Sequence, residues 1–224
     1  MGKSYIVEKL GKTHFEQFIT INFELEPQFI SCFNDLDPEK ITRCIALIKN
    51  QAFIPGKTLL FLDEIQQCPQ AIMALRYFKE KMPDLHVIGA GSFLEFVINA
   101  EEYSQPVGRV ESLYMKPCSF YEYLMANQDN QLIEYLASVT PATEIPLPVH
   151  EHLLAKCREY FILGGMPEVL DYYLQTRQFL GCEKIHASIL EYYQRDLAKY
   201  RQKINVHALE KCFVKAPGLR SEER

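Results

Sequence analysis

Residues 57–64, KTLLFLDE, form an unbroken apolar run that ends in two acids, and this run constrains the fold more than any other feature. A strand with one solvent-exposed face alternates apolar and polar residues, whereas an unbroken apolar run is typical of a parallel strand covered on both faces. In open parallel sheets, ligands bind outside the carboxyl ends of the strands. The run therefore predicts an α/β fold with Asp63 and Glu64 at its ligand-binding edge.

Strand and helix patterns alternate on both sides of this run. Further strands are expected at residues 18–23, 85–91 and 109–115. Helices are expected at residues 3–10, 37–50, 69–82 and from residue 92 onward. Such alternation favours a mostly parallel sheet with flanking helices on both faces.

Two residues give local signals for where these helices end and begin. Gly11 follows the first helical pattern directly, and glycine commonly stops a helix. Asp37 precedes the second pattern, with Pro38 at the first helical position, so we expect Asp37 to act as an N-cap.

The pattern of apolar residues changes after residue 117. Beyond it, every segment with a clear hydrophobic periodicity has the helical period, and no strand is indicated. We therefore expect two domains: an α/β core over residues 1–128, and an all-helical region over residues 129–224. The Pro-rich loop TPATEIPLP, residues 140–148, lies close to this boundary.

Charge and hydropathy exclude several classes of protein. The 24 Lys and Arg are outnumbered by 29 Asp and Glu, so the net charge of -5 disfavours a strongly basic nucleic-acid-binding protein. The longest apolar runs are far shorter than the roughly 20 residues that a membrane span needs. The N-terminus also lacks the apolar centre of a signal peptide, and we expect a cytoplasmic protein with no membrane contact.

The seven cysteines have an odd count, long spacings and no CxxC pair. Neither a disulfide framework nor a thiolate zinc site follows from such an arrangement. We expect free, mostly buried thiols in a reducing compartment.

Gly2-Lys3-Ser4 opens the first predicted helix and matches the end of the phosphate-binding loop G-x-x-x-x-G-K-[ST]. In that loop, backbone N–H groups hold the phosphates, the lysine reaches the β and γ oxygens, and the hydroxyl is a magnesium ligand. The first glycine of the motif is not in the sequence. Three residues alone also occur by chance on a protein surface.

The acid pair has two interpretations of its own. Asp63 and Glu64 match the second nucleotide-binding motif of P-loop ATPases, in which the first acid holds magnesium and the second activates water. An ordinary strand followed by a solvent-exposed acidic turn would have the same sequence. The order of the two motifs, with a strand–helix unit between them, favours the ATPase interpretation.

The chain resembles prokaryotic AAA+ ATPases that carry a C-terminal domain of unknown function. The stretches that carry the resemblance are GKSYIVEKLGK, TINFE, LLFLDEIQQCPQAIMALRYFKEKMPDLHVIGAGSFLEF, PVGRVESLYMKPCSFYEYL, YFILGGMPEVL and YQRDLAKY. The resemblance implies ATP and Mg2+ as cofactors, with Gly2, Lys3, Ser4 and Asp63 binding the nucleotide. Ser4 and Asp63 would hold the metal.

The resemblance also implies catalytic roles for three residues. Glu64 would activate the attacking water. Ser92 falls where such ATPases keep a polar sensor of the γ-phosphate. Arg109 matches a family Gly-Arg and could offset charge in the transition state. A strand-edge arginine paired with an acid such as Glu111 is the alternative.

Compared with the resembling proteins, the chain is expected to lack the first strand of the sheet and the glycine-rich turn that follows it, and to stop inside the C-terminal domain. That strand would lie between strands 85–91 and 109–115. We therefore expect ATP binding and hydrolysis to be impaired in the chain as given.

The function expected from the sequence is ATP binding and Mg-dependent hydrolysis. The alternative is a non-catalytic nucleotide sensor or protein-interaction module. A DNA-associated switch is a further possibility, which the net charge of -5 does not support. The sequence identifies neither a protein partner nor an oligomeric state.

Overall fold

The computed structural model describes residues 2–91 and 109–199, together with residues 208, 211 and 215. Ser92 and the helix expected to begin there lie outside the described residues. The chain divides into two compact units, Met1–Met115 and Lys116–Arg224. Each unit is taken separately below.

A parallel sheet of three strands forms the centre of the first unit, within its described residues. The strands are β1 (Gln17–Asn22), β2 (Thr58–Asp63) and β3 (His86–Gly89), in the order β1-β2-β3. Both neighbouring pairs are parallel, with Ile19 opposite Leu60 and Leu60 opposite Val87. The expected α/β architecture, with helices connecting parallel strands, is confirmed.

Helices connect and flank these strands. They are α1 (Lys3–His14), a 3-10 helix (Pro27–Phe33), α2 (Pro38–Lys49), a 3-10 turn (Ile65–Gln67) and α3 (Pro69–Lys81). The core lies between the sheet and these helices, with Ile19, Leu60, Phe33, Ile45 and Phe78 almost fully buried. Burial of such large apolar side chains is the main stabilising contribution to this unit.

Strand β2 is the central strand, and its apolar run is buried as the sequence predicts. Leu59, Leu60, Phe61 and Leu62 are each at most 1% exposed. A central parallel strand has neighbours on both edges and on both faces, so a polar side chain in its middle would be buried at a cost unless it were hydrogen-bonded.

The edge of the sheet differs from the prediction in two respects. Strand β3 is half-buried, because no described strand pairs with its second edge. The strand expected at residues 109–115 is wrong: these residues are exposed and non-regular. A β-strand is stable only when it forms hydrogen bonds with a neighbouring strand. Residues 109–115 have no such neighbour among the described residues.

Helix α1 continues past Gly11 to His14, so the expected stop at Gly11 is also wrong. Gly11 is buried, and a Cβ atom there would lie 2.2 Å from the Phe18 ring. The glycine allows the helix to pack closely on β1, a tertiary requirement that a local pattern does not contain.

Asp37 occupies the N-cap position of α2 as expected, but its carboxylate does not cap the helix. It binds the ammonium group of Lys81 at 3.1 Å instead, which ties the start of α2 to the end of α3. A lysine within reach competes with the backbone N–H groups for the same oxygen.

The expectation of free thiols is wrong for two cysteines. Cys32 and Cys44 form a disulfide between the 3-10 helix and α2, with their Cα atoms 5.9 Å apart. Cys68, Cys118, Cys157 and Cys182 are free. The bonded cysteines are 12 positions apart in sequence, and the packing of the two helices brings them together.

The second unit is helical throughout its described residues, as expected. Its helices are α4 (Phe120–Ala126), α5 (Asn130–Ser138), α6 (Leu147–Leu163), α7 (Pro167–Thr176) and α8 (Phe179–Lys199). They enclose a separate core that includes Tyr123, Leu124, Leu163 and Val169. Helix α4, which the sequence-based boundary at residue 128 places with the first domain, packs in this unit.

In the described part of the chain, no helix combines the length and apolar character required to cross a membrane.

Candidate functional site

The two sequence motifs meet at the carboxyl edge of the sheet. The Ser4 hydroxyl donates to the Asp63 carboxylate, with Oγ 3.0 Å from Oδ2 and 3.2 Å from Oδ1. Ser4 lies in the first turn of α1 and Asp63 is the last residue of β2, 59 residues later. The fold therefore places the start of α1 where parallel sheets bind their ligands.

The N-terminus of α1 has the features of an anion site. Gly2 is the N-cap, with φ 84, a left-handed conformation that favours glycine. Among the residues that the structure describes, no side chain caps the helix, and its first turn contains no acid. The first N–H groups of a helix have no partner within it, and the helix dipole makes this end positive. Lys3, in the same turn, adds a full positive charge.

Asn22 is a member of this cluster that the sequence analysis missed. It ends β1 directly opposite Asp63, and its Nδ2 donates to Asp63 Oδ2 at 3.2 Å. Its Oδ1 accepts the N–H groups of Glu24 and Leu25 at 3.0 and 3.1 Å. A polar residue at the end of an apolar strand was the available signal, because parallel strands end at the same edge.

The chain turns sharply after Asp63. Glu64 has φ 50, an unusual value for a residue with a side chain, and the 3-10 turn Ile65–Gln67 follows it. Ile65 N–H donates to Ala90 O at 3.0 Å, which fixes this turn to the end of β3. The Glu64 carboxylate accepts a hydrogen bond from Gln66 Nε2 at 2.5 Å. Gln66 is a second residue that the sequence analysis missed.

The structure does not bring Arg109 into this cluster. Its Nε binds Glu80 Oε1 at 2.6 Å, whereas Glu111 was the partner considered from the sequence. Glu80 lies in the last turn of α3, the helix that returns from the carboxyl edge to the amino edge of the sheet. Arg76 and Arg109 both hold the pKa of Glu80 below its usual range, Arg76 more strongly.

Comparison with known proteins adds an independent observation. A family model described as AAA domain matches residues 1–124. The chain belongs to this AAA domain family. A second model, described as a domain of unknown function, matches residues 154–222. No curated protein and no solved structure matched the chain.

The family match covers the cluster at the sheet edge. Gly2, Lys3, Ser4, Asn22 and Asp63 all lie within residues 1–124. Residues 1–124 are thus an AAA-type nucleotide-binding domain. The Ser4–Asp63 contact joins its two characteristic motifs in space.

The donor chemistry of the AAA domain suits a hard cation. Ser4 Oγ and the Asp63 carboxylate supply oxygen atoms 3.0 Å apart. Among the residues that the structure describes, no group of three or more His, Cys, Asp or Glu is arranged to hold a metal. Mg2+ is usually bound by one or two carboxylates with substrate phosphates, so a small oxygen set of this kind fits it.

Proposed function

We propose that the AAA domain binds ATP at the carboxyl edge of its sheet and hydrolyses it with Mg2+. The observation that supports this most directly is the Ser4–Asp63 hydrogen bond, at 3.0 Å between Oγ and Oδ2. This contact supports the proposal because it joins Ser4, which follows the residues proposed to bind phosphate, to the first acid of the pair. A solvated acidic turn, the alternative for the acid pair, would not require the start of α1 at that position.

Each member of the cluster has a binding role in this proposal. The backbone N–H groups after Gly2 and the ammonium group of Lys3 bind the β- and γ-phosphates. Ser4 and Asp63 hold Mg2+, which neutralises phosphate charge when bound. Asn22 keeps the Asp63 carboxylate oriented through the Nδ2–Oδ2 bond.

Glu64 is the catalytic base in this proposal. The oxygen of a water molecule attacks the γ-phosphorus in line, and the bond from that phosphorus to the β–γ bridging oxygen breaks. Glu64 accepts the proton that the water loses, and ADP and inorganic phosphate leave. Ser92 as phosphate sensor remains part of the proposal, whereas Arg109, which pairs with Glu80 outside the cluster, has no role in it. The cytoplasm, where ATP is abundant, is the location that this activity implies.

The test compares nucleotide binding with turnover in Glu64→Gln. Binding is measured by titration with a fluorescent ATP analogue, and turnover by phosphate release with Mg2+. Both measurements use the 224-residue chain. The variant should bind the analogue as the parent does and lose at least about a hundredfold in kcat, the usual contribution of a general base.

The matched control is Glu8→Gln, which neutralises an exposed acid that pairs with Lys12 on α1. It should leave both binding and turnover unchanged. A parent that binds ATP without hydrolysing it would support the nucleotide-sensor alternative. Failure of the parent to bind ATP would contradict the proposal.

A further inference from the structure

The side chain of Gln66 makes one short hydrogen bond and leaves one enclosed atom without a partner. Its Nε2 lies 2.5 Å from Glu64 Oε2. Its Oε1 is buried and accepts no hydrogen bond from the described residues. A buried, unpaired amide oxygen is rare in native proteins and requires a physical explanation.

The orientation of the amide follows from the chemistry of its neighbour. An ionised carboxylate only accepts hydrogen bonds, so the NH2 group of Gln66 must face Glu64. The amide oxygen then faces away, into a position where no donor of the described residues reaches it. The bond to Glu64 is charge-assisted and stronger than one between neutral groups, which offsets the loss at Oε1.

The backbone under this side chain is held at several points. Ile65 is 1% exposed, and its N–H donates to Ala90 O at 3.0 Å. Gln67 N–H donates to Glu64 O, and Cys68 N–H to Ile65 O, both at 2.9 Å. Gln66 therefore projects from a fixed turn, and its amide reaches back to the carboxylate two residues earlier.

We propose that Gln66 is a positioning residue for hydrolysis, which holds the Glu64 carboxylate in the orientation that accepts the proton of the attacking water. This inference rests on the proposed ATPase function and adds a residue to it. Glu64 has a long flexible side chain, and an unsupported carboxylate would occupy several rotamers. A small misplacement of a catalytic group can lower a rate by up to about a hundredfold.

Gln66→Met separates positioning from a structural role. Methionine has nearly the same length and shape, but it neither donates to Glu64 nor leaves a buried oxygen unpaired. The variant should melt at the parent temperature or higher, because replacing an unsatisfied polar group by an apolar one is neutral or stabilising. Its kcat should fall at least tenfold, with KM and the affinity for the ATP analogue unchanged.

Two further variants sharpen the test. Gln67→Met changes the adjacent, exposed glutamine of the same turn and should retain the parent kcat. Gln66→Asn keeps the amide but shortens it by one methylene, and it should lose kcat as Gln66→Met does. In the background of Glu64→Gln, Gln66→Met should cause no additional loss, because residues that act as a unit are not additive.

The outcomes separate the two hypotheses. Parent kcat in both Gln66→Met and Gln66→Asn, with Glu64→Gln inactive, would overturn the role of Gln66 and leave the proposed function in place. A lowered melting temperature with unchanged kcat would overturn it as well, since that pattern indicates a structural residue. Absence of ATP hydrolysis by the parent chain would overturn the proposed hydrolysis and the role of Gln66 together.

Discussion

At the scale of single residues, the Asn22 side chain both donates and accepts hydrogen bonds at the carboxyl edge of the sheet. It donates to Asp63, and it accepts the N–H groups of Glu24 and Leu25 in the turn after β1. Its side chain thereby connects two strand ends. Removing it would leave the Asp63 carboxylate with one fewer donor and would free the turn.

We predict that Asn22→Ala lowers the free energy of unfolding by about 1 kcal/mol, the net value of a typical intramolecular hydrogen bond. The turn N–H groups of exposed residues can bind water instead, which limits the loss. Urea denaturation measures it. Gln51→Ala, at an exposed site after α2, should change the unfolding free energy by less than about 0.5 kcal/mol. Equal losses in the two variants would contradict the role assigned to Asn22.

Some of these residues could be predicted from the sequence and some could not. The positions of Ser4 and Asp63 follow from strand direction, because every parallel strand ends at the same edge. Gln66 was not predicted, since its contact depends on the φ of 50 at Glu64, which no periodicity encodes. The pairing of Arg109 with Glu80 depends on where a non-regular segment crosses α3, and it was also missed.

At the scale of elements, helix α4 begins with a capping box. Ser119 Oγ accepts the Glu122 N–H at 3.3 Å, and a Glu122 oxygen accepts the Ser119 N–H at 2.7 Å. The hydrogen bond from the Ser119 backbone lowers the pKa of Glu122 below its ordinary value of 4.5. The S-x-x-E spacing before an apolar run is a known sequence signature of a helix start.

The pH dependence of this cap has a defined sign. Because the folded-state pKa of Glu122 is lowered, its contribution to stability is complete above pH 4.5 and is lost as the pH falls through the lowered value. We predict that Glu122→Gln is less stable than the parent at pH 7 and that the difference shrinks toward pH 3. Urea midpoints at both pH values measure it. A difference that persists at pH 3, or that Glu134→Gln reproduces, would contradict the prediction.

Elements with a strong local pattern were predicted correctly, and elements that depend on tertiary neighbours were not. The unbroken run of β2 is buried as expected, because its composition alone requires cover on both faces. The segment at residues 109–115 has strand-like composition and forms no strand, since a ladder also needs a partner. Likewise, α1 passes Gly11 because Phe18 packs against it.

At the scale of the whole molecule, the cluster at the sheet edge belongs to one compact unit. Gly2, Lys3, Ser4, Asp63 and Glu64 lie within Met1–Met115, whereas the second unit has its own hydrophobic core of helices. A ligand that binds only the folded form stabilises the unit that holds its site. Nucleotide binding should therefore affect the two cores differently.

We predict that MgATP at a hundred times its Kd stabilises the first unit by about 2.7 kcal/mol. Native-state hydrogen exchange measures the stabilisation of each unit separately. Protection of the β2 amides at Leu60 and Leu62 should rise by up to about a hundredfold. Amides in the core of the second unit, such as Leu170, should exchange at the same rate with and without nucleotide. Asp63→Asn should abolish the difference at the same nucleotide concentration, because it removes the charge proposed to hold Mg2+. A uniform rise in both units would show that nucleotide binding stabilises more than the unit that contains the cluster.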